Sequence, residues 1–223
     1  MRRAAITSVF LLLAGPTAAA AGERVASAID HPVLREWLVA GYWTLKAAIV
    51  IAFATFVFTR GPARRPAREP VAFAACTVAI ASAMALRSPS ASDATAVVLA
   101  GEVVSLVGCA WLFASAMALG RCFSVLPEAR GLVTNGPFRL VRHPLYLGEM
   151  TIGAGLVIAS PSLFNLTFAS AFVGSQTVRM LLEERALTAE FPEYADYAAS
   201  TPRIMPALSP LVGGPRTQRE QRA

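Results

Sequence analysis

The chain has 223 residues, 55% of them hydrophobic and only 15% charged, against about 25% charged in an average soluble domain. Its formal net charge of +6 comes almost wholly from arginine, since Lys46 stands alone among the lysines, and basic excess on so apolar a chain points to loops at a membrane surface rather than to nucleic acid. Cys76, Cys109 and Cys122 lack CxxC spacing and His31 and His143 have no HExxH companion, so neither a metal centre nor a disulfide framework is expected.

The first segment, 1–22, opens on Arg2-Arg3, runs apolar to Leu13 and passes Gly15-Pro16 into a small-residue tract ending at Ala21. That layout suits a signal peptide and equally a first transmembrane helix. Further apolar runs follow at Trp37 to Phe58, Val71 to Leu86, Ala94 to Leu119, Leu145 to Ser160 and Leu163 to Leu182, each bounded by charge or proline. The expected fold is an all-α polytopic membrane bundle of five or six spans. Its N-terminal transmembrane helices occupy 23–119 and a functional core occupies 120–210.

Placing the N-terminus inside puts Arg60, Arg64, Arg65, Arg68, Arg121, Arg130, Arg139 and Arg142 on one side and Arg24, Arg35 and Arg87 on the other, which makes the first side cytoplasmic. Lys46 and Glu102 are read as the deepest charges within spans and as partners of each other. Gly148, Thr151 and Gly155 share one face of the fifth run, where small residues let helices approach closely. Beyond Leu182, the spacing of Leu187, Phe191, Tyr194 and Tyr197 predicts amphipathic interfacial helices, with Pro192 starting a second short one. The tail, 211–223, is rich in Gly, Pro, Arg and Gln and is expected to be disordered.

Chemistry concentrates in Gly131 to Met150, GLVTNGPFRLVRHPLYLGEM, and in Arg179 to Leu187, RMLLEERAL. A site for S-adenosylmethionine needs an anion for the α-ammonium, a donor for the carboxylate and faces that tolerate a sulfonium. Glu183 or Glu184 supplies the first, His143 or Arg142 the second, and Phe138 and Tyr146 the third through cation–π contact. Methyl transfer asks for alignment and desolvation rather than a metal.

These stretches resemble the isoprenylcysteine carboxyl methyltransferase family, whose relatives include membrane phospholipid N-methyltransferases and thiol S-methyltransferases. The resemblance rests on Leu132-Val133-Thr134, Gly136, Arg142-His143-Pro144, Tyr146 and Gly148, and then on Glu183-Glu184, Leu187, Phe191, Tyr194, Tyr197 and Arg203. It covers about the last hundred residues. It implies a cytoplasmic pocket for S-adenosylmethionine built from Leu132, Val133, His143, Pro144, Leu145, Tyr146 and Glu183. It also implies an acceptor-facing role for Arg179, whose spacing of four from Glu183 puts both on one helical face. Phe138 stands where the family often has tyrosine, and Arg130 where eukaryotic members have histidine.

The reading is therefore a multi-pass protein of a bacterial inner membrane that transfers a methyl group to a lipophilic acceptor. A carboxylate is favoured, because it needs no general base and an arginine can orient it; thiol and amine acceptors stay open. The rival readings are a transport or scaffold protein of the same fold without chemistry, and a membrane reductase.

Overall fold

The computed structural model describes residues 2–89 and 95–205. The expected disordered tail lies outside them. Among the described residues there are seven α-helices and no strand: α1 (Arg2–Asp30), α2 (Leu34–Thr59), α3 (Pro70–Ala85), α4 (Ala96–Leu119), α5 (Pro144–Ala159), α6 (Leu163–Glu190) and α7 (Tyr194–Ser200).

Helix boundaries follow local chemistry. Pro16 sits inside α1 without ending it; the Thr17 hydroxyl donates to the Leu13 carbonyl one turn back, at 2.7 Å. The helix runs to Asp30 and stops before His31-Pro32, because proline cannot accept the helical geometry of the residue before it. Pro70 and Pro144 begin α3 and α5, where their missing N–H costs nothing. Thr95 and Ser162 cap α4 and α6 by accepting from Val98 N and Asn165 N.

Among the described residues, three helices are long and apolar enough to cross a membrane: Thr7–Asp30, Leu34–Thr59 and Ala96–Cys122. The 16 residues of α3 and of α5 reach about 24 Å at 1.5 Å each, short of a hydrocarbon core of about 30 Å. One difference from the sequence expectation concerns α6. It does not end at Leu182 to give way to a separate interfacial helix; it continues unbroken to Glu190, with α7 starting two residues after Pro192. Leucine, alanine, glutamate and arginine after Leu182 are all good helix formers, so nothing there stops the helix.

Helices alternate in direction, giving the bundle two ends. One gathers the ends of α2, α4 and α6 with the starts of α3 and α5. There the loop after α2 is stitched to the loop after α4: Arg60, itself buried, donates to the Phe123 carbonyl at 3.0 Å, and Arg65 and Ala129 form an antiparallel bridge. At the other end, buried Asn165 exchanges hydrogen bonds with the backbone of Arg87 at 2.9 and 3.0 Å and donates to Ser160 O at 2.8 Å.

The closest helix pair is α4 with α5, for a steric reason. A Cβ added at Gly101 would stand 2.5 Å from Gly155 O, and one at Gly108 2.8 Å from Ile152 N. The small-residue face read from Gly148, Thr151 and Gly155 thus meets a matching face on α4. Beside it, Ile49, Phe53 and Val57 of α2 bury against Cys109, Leu112 and Ala116 of α4 and against Phe123, with Leu145 and Ile152 packed on. This apolar layer divides the interiors of the two ends.

Candidate functional site

The segment between α4 and α5 is irregular but heavily bonded. A 3-10 turn over Gly136–Arg139 opens on Gly136 at φ 57, a conformation natural to glycine. The Tyr197 hydroxyl of α7 donates to the Phe138 carbonyl at 2.7 Å. Arg142 N and His143 N donate to the carbonyls of Pro202 and Arg203 at 2.8 and 3.1 Å, so the chain after α7 lies along the start of the Arg-His-Pro motif. Trp111 of α4 donates to the Pro144 carbonyl at 2.9 Å and pins the first turn of α5.

A cleft of about 50 Å³ opens at this end of the bundle. The expected residues Phe138, Arg142, His143, Pro144, Leu145, Tyr146, Arg179 and Glu183 line it together with residues the sequence reading passed over, among them Phe123, Glu128 and Glu149. Leu132 instead packs beside Ala129, Ala186, Phe191 and Tyr194, and Val133 does not reach the cleft lining.

The two glutamates divide. The Tyr146 hydroxyl donates to Glu183 Oε2 at 2.8 Å, while Oε1 has no donor among the described residues. Glu184 points elsewhere. It accepts from His143 Nε2 at 3.0 Å and from Arg203 Nε and Nη2 at 2.9 and 2.7 Å, and Arg142 Nη1 stands 3.1 Å away. Burial alone would raise the Glu184 carboxyl, but the hydrogen bonds from His143 and Arg203 and the charges of His143 and Arg142 outweigh it and hold it at about 2. Glu184 therefore fastens the Arg-His-Pro motif to the segment after α7 and does not line the cleft.

Arg179 is likewise built in. Its Nη1 donates to Gln176 Oε1, its Nη2 donates to Val125 O at 2.9 Å, and its guanidinium lies 5.1 Å from the Tyr146 ring centre. Glu149 Oε2 is 4.0 Å from Nη1 and accepts from Gln176 Nε2. Arg179 and Glu183 share a helical face but do not bond to each other; each meets a residue of α5 instead. Glu149 and Gln176 were detectable in sequence as polar residues within apolar runs, the same signal that drew attention to Lys46 and Glu102.

Those two do not pair. Glu102 accepts from Arg35 Nε at 3.0 Å, whereas the Lys46 ammonium lies 4.4 Å from the centre of the Trp43 ring. Glu102 is early in α4 and level with the start of α2, where Arg35 sits, while Lys46 is more than two turns further along.

The donor set of the cleft suits S-adenosylmethionine. Glu183 Oε1 has no donor and the buried Arg142 Nε no acceptor among the described residues, a carboxylate and a guanidinium of the kinds its ammonium and carboxylate would need. Among the described residues no three His, Cys, Asp or Glu side chains are grouped to hold a metal ion.

Residues 93–193 match the phospholipid methyltransferase family. This is a membrane methyltransferase family related to the isoprenylcysteine carboxyl methyltransferases, so the resemblance carried by the two motifs stands. The phospholipid methyltransferase match takes in α4, α5, α6 and every cleft-lining residue named above. The chain is also similar to the cobalt-zinc-cadmium resistance protein CzcN of Cupriavidus metallidurans, 40% identical over 79 residues. A similar relation holds to the nickel-cobalt-cadmium resistance protein NccN of Alcaligenes xylosoxydans xylosoxydans, 38% identical over 80 residues. Each alignment covers 35% of this chain and 37% of the relative, so the chain spans little more than a third of the length of the relatives it matches.

Proposed function

We propose that the protein is an S-adenosylmethionine-dependent methyltransferase of a bacterial inner membrane, with five or six spans and its cleft at the cytoplasmic face. The observation that carries this reading is the meeting of Arg142, His143, Pro144, Tyr146 and Glu183 on one cleft, although α5 and α6 separate them by some forty positions in the chain. When bound, S-adenosylmethionine supplies a methyl group on a sulfonium, ready for displacement. Glu183, steadied by Tyr146, holds the ammonium; Arg142 takes the carboxylate; Leu145 and Phe123 give apolar walls.

Tyr146 also sets the acceptor side, since its ring lies against Arg179. Arg179 is fixed by Val125 O and Gln176, and its Nε is buried without an acceptor among the described residues. That donor orients a lipophilic acceptor, and a carboxylate is the group it serves best; a thiol or amine acceptor would lean on Glu149 instead. The metal-resistance names belong to the two relatives. A strain lacking this chain, grown on cobalt, zinc or cadmium, tests whether the trait extends to it.

Purified protein in a maltoside detergent is expected to bind S-adenosylmethionine by calorimetry, and Glu183→Gln to weaken that binding at least tenfold while the thermal midpoint moves little. Absence of binding by the unaltered protein sinks the reading. Membranes incubated with methyl-labelled cofactor, with and without the protein, then reveal the acceptor in the lipid extract.

A further inference from the structure

At the end of the bundle away from the cleft, helices α1 to α5 leave a cavity of about 470 Å³, within the range of roughly 300–1,000 Å³ that small-molecule sites occupy. Its charged lining is Arg24, Arg35 and Lys46 against Glu36 and Glu102, one cation in excess. Arg24 and Lys46 are the two lining cations that form no ion pair with a carboxylate among the described residues, and Lys46 is the deeper of them along its helix. Arg35 and Glu102 meet at 3.0 Å, and Glu36 accepts from the Ser27 hydroxyl at 3.0 Å. No carboxylate among the described residues stands within 4 Å of the Lys46 ammonium; it rests on the rings of Trp43 and Tyr42, 4.4 and 5.8 Å from their centres.

An ammonium placed in the middle of a transmembrane helix is costly, and aromatic faces compensate only part of it. An anion entering the cavity supplies the rest. On the opposite wall, Glu102 Oε2 is buried and has no donor among the described residues, which calls for a hydrogen-bond donor on whatever enters. The lining also carries an apolar share, from Val39, Met84, Leu86 and Leu156.

We propose that this cavity binds a lipophilic organic anion with a hydroxyl on its head: the anionic group on Lys46, the hydroxyl donating to Glu102, the carbon chain along the apolar wall. Such a ligand is not the methyl acceptor. The layer of Ile49, Phe53, Cys109 and Leu112, with Ile152 against it, lies between Lys46 and the cofactor cleft along both α2 and α4. A reacting atom must come within about 3.5 Å of the methyl donor. The site is thus a second one, independent of the methyltransferase reading.

The test uses the full chain in maltoside detergent with 3-hydroxydecanoate as probe and tryptophan fluorescence as readout. Saturable quenching is expected, lost in Trp43→Phe, weakened at least tenfold by Lys46→Gln, kept within about threefold by Lys46→Arg, and untouched by Glu183→Gln. Decanoate should bind more weakly than the hydroxy acid, and decanol, decyltrimethylammonium and 3-hydroxybutyrate should fail to saturate the site. Equal quenching by decanol, or unchanged affinity in Lys46→Gln, overturns the proposal. If Lys46→Gln does not fold, the probe series on the unaltered protein decides alone: charge-independent binding rejects the site, and binding confined to the long-chain anions supports it.

Discussion

Glu183 and Glu184 are adjacent, yet each residue of a helix turns its side chain by about 100°, so neighbours face different surroundings. Glu183 meets Tyr146 at the cleft, and Glu184 meets Arg142, His143 and Arg203 away from it. In the sequence the two glutamates stand as a pair; only the rotation about α6 separates the carboxylate that lines the cleft from the one that fastens the motif. Their substitutions should therefore diverge. Because the folded Glu184 carboxyl is held at about 2, below its ordinary 4.5, the stability it adds is present above about pH 4.5 and is lost as pH falls toward 2. Glu184→Gln should lower stability by about 1–3 kcal/mol at pH 7, and the gap between its thermal midpoint and that of the unaltered protein should narrow steadily as pH falls from 4.5 to 3. A gap that stays constant over that range would mean the carboxylate charge is not what matters. Lys46 and Glu102 illustrate the reverse difficulty: both were conspicuous as charges in apolar runs, but their partners depended on how far α2 and α4 are offset, which no local pattern records.

Among the elements, the small-residue pattern of the fifth run was fully legible, because glycine and threonine at helical spacing leave a flat face that some other helix must cover. Which helix covers it was not. The partner is α4, with Gly101, Ser105 and Gly108. A Cβ at Gly155 would stand 2.5 Å from the Gly101 carbonyl oxygen and 2.6 Å from Ser105 N, both backbone atoms that cannot swing aside. Gly155→Ala should therefore force α4 and α5 apart and cost about 1–3 kcal/mol, read as a lower thermal midpoint in detergent, whereas Gly174→Ala, with nothing within 4 Å of its added Cβ, should be neutral or slightly stabilising. Equal effects at the two positions would count against tight α4–α5 packing. The helix limits were legible to within a few residues for α2 through α5, since proline and charge mark them. The continuity of α6 past Leu182 was missed because polarity was taken as a boundary, although the residues there favour helix.

For the whole molecule, the arginines sort by end. Arg60, Arg121, Arg130 and Arg142 lie at the cleft end, and Arg24, Arg35 and Arg87 at the other. The charge imbalance predicts that the cleft end stays in the cytoplasm. A fluorescent reporter fused after Ala223 should mature and an alkaline phosphatase fused there should stay inactive, with the opposite outcome for fusions at Ser88 in the α3–α4 connection; matching signals at both places would refute an alternating bundle. The all-helical class was thus legible from composition, and two motifs marked residues that meet on one cleft, while the two-ended division of the interior emerged only when the helices were packed.

The backbone bonds from Arg142 and His143 to Pro202 and Arg203 carry a consequence for how the protein is made. When a ribosome has just completed α5, the amide groups that shape the Arg-His-Pro motif have no acceptors: Glu184, which anchors the same motif, is still about 25 codons from translation, and Pro202 is more than forty. All the spans can be inserted while the cleft is still unformed. The helices and the cleft therefore mature in sequence, and a stop codon shortly before Pro202 should leave a bundle that inserts normally but does not bind S-adenosylmethionine.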